Sequence, residues 1–249
     1  MMDVFQDYAR FYNALYKEKD YMKEARDVDS LLKKWSPGAK SMIVYGCGTG
    51  KHDVCFEQLG YGIHGIDMSE EMVTEARKAS STITYEVADI RTYEPKNKYD
   101  VVISLFHVMS YQNSNEDICN AFRAARKALE KGSIFLFDAW YGPGVLTDPP
   151  AVRVKVVEEK DFTIRRIARP VVHPNTDIVD VNYELLIEDK QSAALKTITE
   201  SHHMRYFFMP ELRKYLEEAG FELVDSADCN TLGEPDFNSW TAYFIARAV

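Results

Sequence analysis

The sequence has no long run of basic residues, and this limits the partners it can have. It holds 30 lysines and arginines against 39 aspartates and glutamates, so its formal net charge is −9. Basic residues stand in short pairs such as Lys33-Lys34 and Arg165-Arg166. Since a protein that binds a phosphate backbone usually carries a basic stripe, we expect no nucleic-acid partner.

Cysteine is also scarce, and none of the four cysteines has a second cysteine at the CxxC spacing. Scattered thiols of this kind argue against a zinc site and against a disulfide framework. We therefore expect no bound metal, and reduced cysteines of the kind found in the cytoplasm.

Long apolar runs are missing as well. No uninterrupted apolar stretch approaches the roughly 18 residues that a helix needs to cross a bilayer. The first residues, MMDVFQDYARFYNALY, carry acids and aromatics where a signal peptide has a basic start and an apolar stretch. We expect a cytoplasmic protein with no membrane partner, and the apolar content of 46% is sufficient for a sizeable core.

Short apolar runs bounded by turn residues alternate with helical patterns in the first part of the chain. The patterns predict a helix that ends near Trp35 and further helices at 54–59, 70–79 and 115–130, the last closed by Gly132. The predicted strands are 41–45, 62–67, 83–88, 99–106 and 133–137. Strands that alternate with helices are typical of a doubly wound α/β fold with a parallel sheet.

The hydrophobic period changes after Pro149-Pro150. The β-rich runs that follow are 152–157, 162–172, 178–187 and 195–207, and then a helix at 209–219 and strands at 221–224 and 241–247 resume the first pattern. We therefore expect an α/β domain made of residues 1–150 and 209–249. An antiparallel β-sheet of residues 151–208 is inserted into it.

The loop Gly46-Cys47-Gly48-Thr49-Gly50 lies where the first predicted strand turns into a helix. Glycines let the backbone approach a ligand closely, and the helix N-terminus offers unpaired N–H groups. Asp67 and Asp89 end the next two strands at the same sheet edge, where acids can accept ribose hydroxyls and reach an adenine amino group. The spacing predicts an adenosine site, and it departs from the dinucleotide pattern G-x-G-x-x-G because the third glycine comes one residue earlier.

These motifs, spread over roughly residues 40–140, resemble those of class I S-adenosylmethionine-dependent methyltransferases. The resemblance implies a Rossmann-like methyltransferase sheet and S-adenosylmethionine as the cofactor. It implies that the loop glycines approach the methionine moiety, that Asp67 binds ribose, and that Asp89 and Ile90 flank adenine. Further expected cofactor contacts are Tyr12, Tyr21, Cys47, Met68, Met72 and Leu105. One departure is Val44, because this family usually carries an acid there, two residues before the first glycine, to hold the methionine end.

A narrower resemblance is to N,N-dimethyltransferases of nucleotide-linked amino sugars. It depends on Lys19-Asp20-Tyr21, on the segment from Phe137 to Tyr141, on the inserted antiparallel strands and on Glu200-Ser201-His202. It implies methyl transfer to the amine of a nucleotide-linked amino sugar, with residues 151–208 as a substrate cap. The histidine that these enzymes carry after the fourth strand aligns with Tyr111 here, so its role is not simply carried over.

The catalytic candidates follow from the chemistry of methyl transfer. The acceptor's lone pair must lie about 3 Å from the methyl carbon, with water excluded. An amine needs only to arrive unprotonated, whereas a hydroxyl needs a general base. The candidates are His202, Tyr111 and His107, each of which is equally compatible with a structural role. On an alternating strand His202 and His203 face opposite sides, and we favour His202 as the one in the pocket.

Several alternatives stay open at this point. Trp140 and Tyr141 follow the fifth strand and are expected to form the floor of a substrate pocket, with core packing as the alternative. Tyr12 and Tyr21 are expected to cover the cofactor, with a helix surface as the alternative. The acceptor is expected to be a small polar molecule. Alternatives to amine methylation are O-methylation of a sugar or other metabolite, and cofactor binding without catalysis. The inserted sheet serves as a cap, as a homodimer face or as both.

Overall fold

The structure is a computed structural model, and it describes residue 11 and residues 14–249. Its centre is a parallel sheet of five strands in the order β3-β2-β1-β4-β5. These strands are β1 (Ser41–Tyr45), β2 (Gly62–Asp67), β3 (Thr84–Val87), β4 (Tyr99–Ser104) and β5 (Leu129–Tyr141). Two strands extend it: β11 (Thr241–Ala248) pairs antiparallel with β5, and β10 (Phe221–Asp228) pairs antiparallel with β11. The predicted α/β fold is confirmed.

Helices cover both faces of this sheet. On one face lie α1 (Tyr21–Trp35), α2 (Lys51–Gln58) and α3 (Glu70–Ala79), and on the other lie α4 (Asn115–Lys127) and α6 (Met209–Glu218). Successive residues of β1 therefore enter different cores. Met42 and Val44 pack with the first group of helices, and Ile43 and Tyr45 pack with the second. This burial on both sides explains why the central strands β1 and β4 are nearly continuous buried runs without alternation.

Capping residues fix where three helices begin. The side chain of Ser69 accepts a hydrogen bond from the backbone N–H of Met72 at 3.2 Å, as its place before α3 predicts. Asp20 caps α1 and Ser114 caps α4 in the same way. Because Ser69 comes two residues after the end of β2, its cap holds the start of α3 close to the carboxyl edge of the sheet.

The inserted strands form a four-stranded antiparallel sheet in the order β9-β8-β7-β6. They are β6 (Arg153–Glu158), β7 (Phe162–His173), β8 (Ile178–Asp189) and β9 (Leu195–Phe207). β9 joins the central sheet by pairing in parallel with the end of β5, at Trp140 with Tyr206 and at Tyr141 with Phe207. The short pairing brings one face of the antiparallel strands over the carboxyl edge of β1, β2 and β4.

Several element bounds differ from the predictions. β5 begins at Leu129 directly after α4, and Gly132 lies inside β5 at φ +89° instead of closing the helix. The strand has a register shift against β4 in this region, and glycine at positive φ is suited to such a bulge. α2 begins at Lys51 rather than at residue 54, since the glycine loop leads directly into it.

Two short helices were not predicted. They are α5 (Gly142–Thr147), which contains a Gly-Pro-Gly sequence, and a 3₁₀ helix at Val108–Tyr111. Neither is long enough to produce a helical hydrophobic period. Within the described residues, no helix combines the length and hydropathy of a membrane span, and all four cysteines are free thiols.

Candidate functional site

A cavity of about 460 Å³ lies at the carboxyl ends of β1, β2, β3 and β4, and β8 and β9 form its opposite wall. This is the edge at which open α/β sheets bind ligands. Its volume lies within the range of roughly 300–1,000 Å³ that is typical of small-molecule sites. In the described residues, no group of three or more histidines, cysteines and acids is placed to hold a metal ion.

The glycine loop forms one wall of this cavity, through Gly46, Cys47 and Gly48. The three loop glycines have φ values of +72°, +55° and +74°, which disfavour other residues. A Cβ atom at Gly46 would lie 2.4 Å from a methyl carbon of Val108. Gly50 is set back from the cavity as the N-cap of α2, so it shapes the loop rather than lining the space.

Asp67, at the end of β2, is held in the cavity wall by backbone donors. Its Oδ2 accepts from the N–H of Gly48 and its Oδ1 accepts from the N–H of Ser69, each at 2.9 Å. Burial raises the pKa of this carboxyl, while those donors act in the opposite direction. A carboxylate has about four acceptor positions, so Asp67 retains the capacity to bind ribose hydroxyls.

Asp89 lies across the cavity from the loop and is paired with Arg91, which the sequence reasoning missed. The Nε of Arg91 donates to Oδ1 of Asp89 at 2.9 Å, and its Nη1 donates to Oδ1 of Asp117 at 3.0 Å. The hydrogen bond from Arg91 lowers the pKa of Asp89. The expected adenine-binding acid is therefore ionised and oriented by a cation that also lines the cavity.

Apolar side chains complete the cofactor side of the cavity. Ile90, Leu105, Met68 and Met72, the residues for which the sequence predicts cofactor contacts, all line it. Tyr21 lines it as well; its ring lies 4.8 Å from that of His52, centroid to centroid. Tyr12 lies outside the described residues.

Tyr111 and His202 meet on the opposite side of the cavity. The hydroxyl of Tyr111 and Nδ1 of His202 are 2.6 Å apart, and Nε2 of His202 is 3.2 Å from Oε2 of Glu200. His202 is 4% exposed, and the ring of Tyr183 packs edge-on against it at 5.0 Å. β9 thus buries the ring of His202, whereas the ring of its neighbour His203 is more than half exposed and contacts Asp180.

The proton positions along the hydrogen-bonded series Tyr111–His202–Glu200 follow from the chemistry of the three side chains. An ionised Glu200 only accepts, so Nε2 of His202 carries the proton, and Nδ1 then accepts from the hydroxyl of Tyr111. Burial raises the pKa of Tyr111 well above its usual value, so it stays a neutral phenol. The arrangement Tyr111–His202–Glu200 can carry a proton from the cavity to a histidine backed by a carboxylate.

His107 also lines the cavity, but it has a different partner. Its backbone N–H donates to Oδ1 of Asp138 at 2.8 Å, and its Nδ1 lies 3.0 Å from Oδ2, outside hydrogen-bond angles. His107 and Phe106 both have positive φ, +66° and +64°. Two successive non-glycine residues in this conformation store backbone strain, which is typical of functional sites.

Trp140 and Tyr141 are separated by the structure. Trp140 lines the cavity, and its ring lies 6.5 Å from that of His107. Tyr141 is absent from the cavity wall; it packs against the hydrophobic core with its ring 6.5 Å from that of Phe244. Since neighbouring residues of a strand point to opposite faces, the two could not both form the pocket floor. The expectation for Tyr141 is corrected to core packing.

Comparison with known proteins identifies a family model and several proteins that this chain resembles. Residues 43–132 match the model of a family described as a methyltransferase domain. The chain is 26% identical over 219 residues to dTDP-3-amino-3,4,6-trideoxy-alpha-D-glucopyranose N,N-dimethyltransferase from Streptomyces venezuelae. The match covers 87% of this chain and 91% of that relative.

Solved structures with the same architecture include two sugar methyltransferases. The sugar N-methyltransferase KedS8 from Streptoalloteichus sp. matches with a TM-score of 0.83 at 22% identity, over 97% of this chain and 92% of the other. CalS10 bound to S-adenosylmethionine, an amino pentose methyltransferase from Micromonospora echinaspora, matches with a TM-score of 0.78 at 21% identity, over 98% of each chain. At these identities the two structures establish the shared Rossmann-like fold.

Proposed function

We propose that this chain, an S-adenosylmethionine-dependent methyltransferase, methylates the amine of a nucleotide-linked amino sugar. The observation that carries the proposal is the proton-accepting chain Tyr111–His202–Glu200, which lies in the same cavity as the glycine loop and Asp67. The relative from Streptomyces venezuelae, named for an amino-sugar substrate, supports this acceptor class.

The cavity residues fit the parts of the cofactor. Asp67 keeps acceptor positions for ribose, Asp89 and Ile90 suit adenine, and the glycine loop with the N-terminus of α2 suits a charged amino-acid end. Met68, Met72 and Leu105 supply apolar contacts, and Tyr21 lies at the edge near His52. Bound S-adenosylmethionine supplies a methyl group that is activated for attack by its sulfonium.

Tyr111 and His202 prepare the acceptor in this proposal. A sugar amine arrives from water as an ammonium and cannot attack until it loses a proton. Tyr111 accepts that proton on its oxygen while its own hydroxyl proton moves to Nδ1 of His202, and Glu200 stabilises the resulting imidazolium. The neutral phenol of Tyr111 is suited to such a relay because it never has to carry a negative charge.

Residues 151–208 act as the substrate cap in this proposal. β8 and β9 contribute Val181, Tyr183 and Met204 to the cavity wall facing Trp140. The guanidinium of Arg166 lies 4.9 Å above the ring of Tyr183, which holds this ring in place. The mainly apolar wall excludes water from the reacting atoms.

O-methylation is a second candidate that a specific observation favours. A histidine hydrogen-bonded to a carboxylate is also the arrangement of a general base that deprotonates a hydroxyl. A matched pair of acceptors separates the two functions: a dTDP-linked amino sugar and the same nucleotide sugar with a hydroxyl in place of the amine. With S-adenosylmethionine present, mass spectrometry should find one and then two added methyl groups on the amine. Methylation of the hydroxyl sugar alone, or of neither, would contradict the proposal.

The proposal includes a cytoplasmic location and a small-molecule substrate without a nucleic-acid partner. The four free thiols support the location, and the net charge of −9 supports the absence of a nucleic-acid partner. Whether the outer face of the cap also forms a homodimer is tested by sedimentation of the purified protein.

A further inference from the structure

Asp53 is a buried acid at the cofactor end of the cavity. It lies in the first turn of α2, directly after the glycine loop, and is 0% exposed. Asp53 is nevertheless one of the residues that border the cavity. Within the described part of the chain neither carboxyl oxygen makes a hydrogen bond of good geometry, and the Tyr85 hydroxyl is the polar side chain that lies close enough to interact with it. Because a buried polar group with poor hydrogen bonding is costly, a ligand group that pairs with this carboxyl would be stabilised by it.

Two glycines make room for this acid and for the neighbouring Tyr85. A Cβ atom at Gly65 would lie 2.8 Å from Oδ2 of Asp53, and one at Gly50 would lie 2.5 Å from the Tyr85 hydroxyl. Among the described residues that hydroxyl also makes no hydrogen bond of good geometry, and the side chain that it interacts with is Asp53. The backbone under the loop is thus shaped around polar side chains rather than filled with apolar ones.

The other acids of the cavity wall are already engaged. Asp67 accepts from two backbone N–H groups, and Asp89 and Asp117 share Arg91. Val44 in β1 is buried in an apolar cluster and offers no charge. Among the described acids that border the cavity, Asp53 is therefore the one whose carboxyl has no hydrogen bond of good geometry.

The surroundings of Asp53 favour its neutral form, although the hydrogen bond from the Tyr85 hydroxyl acts in the opposite direction. The groups that face it are Asp67 from β2, Tyr85 from β3, Cys47 from the loop and Cys55 from α2 itself, and none of these is a cation. Burial, with a smaller contribution from Asp67, raises the pKa of Asp53 to about 8. A cationic ligand group reaching this carboxyl would reverse that balance and ionise it.

We propose that Asp53 receives the α-ammonium of the cofactor's methionine end and releases its carboxyl proton to solvent when the cofactor binds. The carboxyl O–H bond breaks, the proton goes to the buffer, and an ammonium–carboxylate pair forms. Asp53 thereby replaces the acid that is absent at Val44. The inference uses only the cofactor, so it stands or fails independently of the amino-sugar acceptor.

Calorimetric titration of the whole protein at pH 6.5, in buffers of different ionisation enthalpy, counts the protons released. S-adenosylmethionine and S-adenosylhomocysteine both carry the ammonium, and each should release about one proton, as a pKa near 8 requires. 5′-Methylthioadenosine lacks the amino-acid end and should bind without that release. Absence of release from the wild-type protein with either full ligand overturns the inference.

Two variants locate the proton. Asp53→Asn should abolish the release and weaken S-adenosylhomocysteine binding at least tenfold, with little effect on 5′-methylthioadenosine. Tyr85→Phe is the matched control, since it alters the adjacent buried hydroxyl and should keep the release. Thermal unfolding verifies that both variants are folded. Unchanged proton release in Asp53→Asn shows that the proton comes from another group, and it contradicts the inference.

Discussion

The hydrogen bond between Tyr111 and His202 joins two residues that are 91 positions apart in the chain. Each was a candidate from sequence, but their contact depends on how β9 is placed over the end of the 3₁₀ helix. The third member, Glu200, is two residues before His202, so the alternation of β9 puts both on the same face. The sequence therefore indicated that Glu200 and His202 share a face, but it did not indicate that Tyr111 contacts His202.

Removing the Tyr111 hydroxyl tests this chain of residues. Tyr111→Phe should lower kcat for the amine acceptor by about 10²-fold, because general acid–base steps contribute roughly 10²–10⁴. His202→Ala should do the same, and the double variant should be no worse than either, since the two act as one unit. Steady-state kinetics measure this. The control is His173→Ala, which alters an exposed histidine bound to Asp180. Full activity in Tyr111→Phe would remove the residue from the mechanism.

Asp53 should also make stability depend on pH. In the unfolded chain its carboxyl loses the proton near pH 3.8, and in the folded protein near pH 8. The folded state therefore binds more protons between these values, and the unfolding free energy falls as pH rises, by at most about 1.4 kcal/mol per pH unit for one group. Urea unfolding from pH 5 to 8 should show this fall for wild type and a smaller one for Asp53→Asn. Parallel pH curves would contradict the assignment.

Among the elements, the glycine loop and α2 were the most predictable part of the site. A buried strand, three glycines and a helix in immediate succession indicate the loop from sequence alone. The sequence could not show that Gly50 lies behind the cavity wall, because this position depends on how the loop packs against Tyr85 in β3. The positions of α5 and the 3₁₀ helix were equally inaccessible, since such short elements are determined by the packing around them.

Gly50→Ala should destabilise the protein strongly. The substitution places a Cβ atom against the Tyr85 hydroxyl and forces alanine into φ +74°. We expect a loss on the order of 2 kcal/mol or more in unfolding free energy, because strain and overpacking add. Gly38→Ala is the control, since no atom lies within 4 Å of its added Cβ. Urea denaturation of both variants decides the point, and equal stability would count against the loop geometry.

At the scale of the whole molecule, one sheet continues from the α/β core into the cap through the pairing of β5 with β9. The change of hydrophobic period after Pro149-Pro150 predicted the antiparallel strands. It could not predict that their inner face closes over the glycine loop, because strand periodicity defines two faces without saying which one covers the site. For the same reason the choice between pocket floor and core packing for Tyr141 stayed open in the sequence.

The cap proposal predicts separate effects on acceptor and cofactor. Tyr183→Ala removes a cavity-lining ring from β8 and should raise the KM for the acceptor about tenfold, as the loss of a buried aromatic contact implies. The Kd for S-adenosylhomocysteine should change less than twofold. Val156→Ser, on an exposed position of β6, serves as the control. Equal weakening of both ligands would mean that Tyr183 supports the fold rather than the acceptor.

The most direct test follows the methyl group itself. The protein is incubated with S-adenosylmethionine carrying a ¹³C-labelled methyl group and with a dTDP-linked amino sugar, and the product is observed by NMR. We predict that the label appears as one and then two N-methyl groups on the sugar, and that Tyr111→Phe slows their appearance. A label on a sugar oxygen, or an unmethylated sugar in the presence of bound cofactor, would contradict the account.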